Sequence, residues 1–87
     1  MAVHEALDQP KAALRYGDRL LACDPLREDV HRAVIRLQVR LGNRAEAVRQ
    51  ARRCRAVLRS ELGVDLAPET AALCDDLLGP AWRPKQP

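Results

Sequence analysis

An all-α chain of about four helices, arranged as antiparallel hairpins, is predicted by three observations. The first is composition: with no Phe, one Tyr and one Trp, the core has to be built from Leu, Val, Ala and a little Ile, which suits close-packed helices better than a sheet. The second is the absence of hairpin chemistry, since only four Gly are present and no Asn-Gly or Asp-Gly pair occurs. The third is periodicity. Between Pro25 and Leu41, Leu26, Val30, Ala33, Val34, Leu37 and Leu41 fall on one helical face, and Ile35 and Val39 add a second strip beside it. A helix apolar on two sides should touch neighbours on both, so this stretch is expected to be the central element.

Taken in order, Met1 to Leu7 resembles the end of a helix, with Val3, Ala6 and Leu7 on one face. Asp8 can cap a second helix from about Gln9 to Ala22 or Cys23, directing Ala13, Gly17, Leu20 and Leu21 inwards. Gly17 inside that helix costs about 1 kcal/mol relative to Ala, which implies a neighbouring backbone approaching closely there. Asp24-Pro25 reads as the start of the central helix and Gly42-Asn43 as its end. The next helix runs from about Arg44 to Leu62, with Ala47, Ala51, Cys54, Leu58 and Leu62 inward, flanked by Val48 and Val57, and Gly63 stopping it. An extended connector carries Leu66 back to the core. A last helix from Pro68 to about Leu78 is anchored by Leu73 and Leu77, and Gly79-Pro80 breaks it. Residues 1–78 are read as one domain and 79–87 as a flexible tail.

Composition excludes several function classes. No apolar run is long enough to span a bilayer and Met1-Ala2-Val3-His4-Glu5 does not read as a charged-then-apolar signal sequence, so a cytoplasmic protein is expected. Cys23, Cys54 and Cys74 are odd in number and lack a CxxC pair; all three read as buried structural thiols. No HExxH, GxSxG or Gly-rich phosphate loop is present, and hydroxyl nucleophiles are few, so neither an enzyme nor a cofactor, metal or small-molecule site is expected. His31 reads as a packing or surface residue, and Glu28 is placed to pair with Arg32 one turn on.

Charge is unevenly distributed. The formal balance is +3, but residues 32–60 hold nine Arg against one Glu, whereas residues 61–78 hold five acids and no base. Arg49, Arg52, Arg53, Arg55 and Arg59 are the candidate partner-binding residues, able to steer acidic protein or phosphate.

Shifting the chain by 34 residues lays Leu7 on Leu41, Ala13 on Ala47, Leu14 on Val48, Gly17 on Ala51 and Leu20 on Cys54. Thirty-four is the tetratricopeptide period, and Ala13 and Ala47 stand where that repeat needs a small residue at the crossing of its two helices. The run from Leu20-Leu21-Ala22-Cys23-Asp24-Pro25-Leu26-Arg27-Glu28-Asp29 to His31-Arg32-Ala33, then Gly42-Asn43-Arg44-Ala45-Glu46-Ala47, then Glu61-Leu62-Gly63-Val64-Asp65 with Pro68-Glu69-Thr70, resembles the bacterial transcriptional activator domain. That is the tetratricopeptide-like domain behind a winged-helix DNA-binding domain in the Streptomyces antibiotic regulatory proteins. Two departures are visible: Ala51 stands where the family commonly has an aromatic residue, and Leu66 where it often has Pro. The resemblance implies the C-terminal part of such a regulator, N-terminally incomplete and without its own DNA-reading domain. It also implies protein partners: a second copy, RNA polymerase or a winged-helix domain, with nucleic acid met indirectly.

An incomplete superhelix is expected to leave an apolar end face near Val3, Leu7, Leu14 and Leu21 as a candidate interface. The competing reading is a sequence-nonspecific nucleic-acid binder using the Arg-rich helices of residues 32–59. The Arg residues encircle the helix predicted from Arg44 to Leu62 and do not gather at its N-terminal end, so direct base reading is not expected.

Overall fold

The computed structural model describes residues 9–79; Val3, Leu7, Asp8 and the tail from Pro80 onwards lie outside them. Among the described residues there are four helices and no strand: α1 (Pro10–Cys23), α2 (Glu28–Arg40), α3 (Arg44–Leu62) and α4 (Pro68–Leu78). α2 packs against both α1 and α3, and α4 closes over α3 and the side of α2. The expected centre is therefore the observed one. Val30, Val34 and Ile35 of α2 are almost completely removed from solvent, and each such side chain contributes roughly 1.5–3 kcal/mol of transfer free energy.

α2 begins later than its sequence suggests. Asp24 Oδ1 accepts the Leu26 N–H at 3.2 Å and the Asp24 carbonyl accepts the Arg27 N–H at 3.3 Å, so Asp24-Pro25 builds a turn instead of a helix cap. The first helical residue is Glu28, and Glu28 and Asp29 place two carboxylates in the first turn, where the helix dipole favours them. At the other end Val39 is 48% exposed, against the reading that put it beside Ile35. A step of four residues overshoots the 3.6-residue turn and rotates Val39 onto the face of Arg32 and Arg36.

Small residues carry the α1–α2 contact. Ala13 and Gly17 are buried, Leu20 and Leu21 only partly so. A β-carbon at Gly17 would lie 2.7 Å from Val34 Cγ2, so the close approach expected there comes from a branched side chain and not from backbone.

The main core cluster lies among α2, α3 and α4. Ile35, Ala47, Ala51, Cys54, Leu58, Leu66, Cys74 and Leu77 form it, and Ala13 and Ala47, 34 positions apart, are both buried. Gly63 ends α3 with φ +65° and ψ +24°, the left-handed conformation that glycine adopts without steric cost. The chain then returns so that Leu66 closes the core, while Leu62, expected inward, is 56% exposed on the last turn.

α4 is fastened by polar links as well as by Leu77 and Cys74. Thr70, fully buried, accepts a hydrogen bond from Arg32 Nη1 at 2.7 Å, and Glu28 Oε2 accepts the Ala67 N–H at 3.0 Å. Glu28 and Arg32, expected to pair with each other, are both turned towards α4. An Arg44 guanidinium donates to the Leu77 carbonyl at the far end of the same helix. Leu73, expected as an anchor, is only half-buried. Of the three thiols, Cys54 and Cys74 are buried, but Cys23 is exposed because it occupies the last turn of α1. Burial, with smaller contributions from nearby Glu28 and Cys74, pushes the Cys54 thiol up to about 12, which keeps it protonated and unreactive.

Candidate functional site

α1 and α3 both lie on α2, and between them they leave a concavity of about 380 Å³. Helical periodicity determines which α3 residues face it: Glu46, Arg49, Gln50, Arg53 and Val57 stand at i, i+3, i+4, i+7 and i+11. Asp18 and Leu21 of α1 form the opposite wall, and His31 and Gln50 contribute to its lining.

His31 is 1% exposed and bridges three segments. Its Nε2 donates to the Pro25 carbonyl at 2.8 Å, and its Nδ1 accepts from Gln50 Nε2 at 2.7 Å. A carbonyl oxygen can only accept, so Nε2 carries a hydrogen, and because the Gln50 amide nitrogen donates to Nδ1, that nitrogen presents its lone pair. The ring is therefore neutral. Burial lowers its pKa below the ordinary value of 6.5; the Pro25 carbonyl opposes that shift, Arg53 adds to it and Glu28 opposes it.

The candidate binding residues divide between two flanks of α3. Leu21, Arg49 and Arg53 meet at the groove, where Arg49 is paired with Glu46. Arg53 is exposed and has no ion pair among the described residues. Arg52, Arg55 and Arg59 lie on the other flank, around a shallow depression of about 190 Å³ at Ala56. Arg55 is laid down there, 17% exposed, with Nε 3.7 Å from Asp65 Oδ1. Leu14 is half-buried on α1 and does not line the groove. Val3 and Leu7 lie outside the described residues.

Sequence reasoning missed Gln50, the residue that orients His31. Its signal was a polar side chain standing among Ala47, Ala51 and Cys54 on a stripe otherwise apolar. Among the described residues no group of His, Cys, Asp and Glu could hold a metal ion, and no helix is long and apolar enough to cross a membrane. The arrangement offers a partner cationic and amide donors beside an apolar wall, and among the described residues that line it no nucleophile is paired with a base.

Compared with known proteins, the chain matches over residues 1–78 the family model described as the bacterial transcriptional activator domain. No curated protein and no solved structure matches it.

Proposed function

From the premise that this chain belongs to the bacterial transcriptional activator domain family, a regulatory and non-catalytic family, we propose that it acts as a protein-interaction module of a transcription activator. Its partners in this reading are a second copy, RNA polymerase or a winged-helix domain that reads the DNA sequence for it. The observation that supports the reading is the α1–α3 groove, where Leu21, Arg49 and Arg53 converge from two helices that are far apart in sequence. Its apolar wall beside amide and guanidinium donors matches the make-up of protein interfaces, in which apolar contact supplies affinity and polar groups supply orientation. Arg53 is the strongest single contributor, because it is exposed at the rim without an ion pair among the described residues.

Chemical cross-linking and light scattering, together with capture of RNA polymerase or a winged-helix domain, test the proposal. Self-association or capture is expected, and Arg53→Glu combined with Leu21→Asp should weaken it about tenfold or more, as losses at interface anchors do. A strictly monomeric chain that captures neither partner would count against the reading.

A further inference from the structure

The flank of α3 that faces away from the groove carries a second surface of different character. Arg52, Arg55 and Arg59 surround Ala56, and among the described residues no carboxylate lines the depression. Leu62 follows Arg59 by three residues and Arg55 by seven, so helix geometry sets it on the same stripe. It is 56% exposed, and Val64 just beyond it is 46% exposed. The contact between Arg55 and Asp65 brings the connector against this flank. Leu62 thus sits at the end of a row of guanidinium groups, with Val64 exposed two residues further along the chain.

That combination discriminates between partners. A nucleic-acid backbone requires cations and hydrogen-bond donors and gains nothing from exposed Leu and Val. A protein partner uses an apolar anchor with charges around it. Because the row is basic, the matching surface is acidic. We propose that Arg52, Arg59, Leu62 and Val64 dock a short acidic amphipathic segment of a partner protein. Its apolar side chains seat on Leu62 and Val64, and its carboxylates meet Arg52 and Arg59. Arg55, already held by Asp65, contributes mainly its aliphatic stem to the floor. This surface is separate from the groove, so it stands or falls independently of it.

The test uses the full chain and fluorescence anisotropy with three labelled probes. These are a short peptide alternating Asp and Glu with two Leu, the same peptide with Ser for Leu, and a DNA duplex. The Leu peptide should bind most tightly, with the Ser version about fivefold weaker. The Arg52→Ala and Arg59→Ala pair should weaken the Leu peptide about tenfold, and Leu62→Ser about fivefold. All three positions are exposed, and thermal melts of the variants check that the fold is retained. Duplex binding at least as tight as the Leu peptide, unaffected by Leu62→Ser, would overturn the proposal in favour of a phosphate-contacting surface. Self-association that Leu62→Ser abolishes would assign the surface to a second copy instead, and failure of the Leu peptide to bind would also overturn it.

Discussion

α2 is held by α1 and by α4 in opposite ways. On the α1 side the contact is one of shape, with Gly17 hollowed out to receive Val34 and Ala13 buried in the same helix. On the α4 side specific atoms are paired: Arg32 with Thr70, and Glu28 with the Ala67 amide. A shape contact tolerates no added volume but can slide along its axis. A hydrogen-bonded contact sets the register and is lost one partner at a time. The difference explains how an 87-residue chain with almost no aromatic side chains holds its helices in place: small residues bring them close, and a few polar links set their position.

The largest break in this comparison should come from filling the hollow. Gly17→Leu is expected to destabilise the chain by about 3 kcal/mol in urea unfolding, because Val34 is buried and its branched side chain has little rotamer freedom. Adding Val34→Ala should recover part of that loss, and a double-mutant cycle measures how much.

Thr70→Val keeps the volume and removes the acceptor of Arg32, so a smaller loss of about 1–2 kcal/mol is expected from the same measurement.

The α2–α3 contact mixes the two modes, and His31 makes it depend on pH. Its pKa is depressed in the folded chain, so the unfolded chain binds more protons below the ordinary value of 6.5. Stability from this residue should be fully present above that pH and decline as pH falls below it. Urea unfolding across pH 5 to 8 checks the direction, and His31→Gln should flatten the dependence in that range.

The smallest effect is expected for Glu69→Ala. Its carboxylate lies 3.7 Å from Arg32 but is 79% exposed, so the loss should stay below about 0.5 kcal/mol. A loss as large as that of Thr70→Val would mean that charge, and not the buried hydroxyl, fixes α4.

The parts of the fold legible in sequence are those with local chemistry. Gly63 after a helical stripe, Pro68 opening a helix and Gly79 closing it are complete signals within a few residues, and α3 and α4 have the bounds they imply. Asp24-Pro25 was ambiguous because the same pair suits a helix start and a turn, and only the Leu26 and Arg27 amides decide between them. Glu28 and Arg32 have the spacing of a helical ion pair, yet Ala67 just before α4 and Thr70 within it, 39 and 38 residues away, take both. Leu62 keeps the apolar period but stands on a last turn that no neighbour among the described residues covers, and Val39, four residues past Ile35, is carried off the buried strip. The Arg block was visible as charge. Its division into a groove flank and an outer flank required the position of α1, which no local pattern in α3 encodes.

The imidazole of His31 has a consequence for any substitution there. It joins the turn after α1 to the middle of α3 by giving a hydrogen on one edge and taking one on the other. Removing the ring strands an oxygen and an amide that belong to different stretches of chain. The damage would therefore surface in two places at once, as faster amide exchange around residues 26 and 27 and around residue 50, although only one position had been altered.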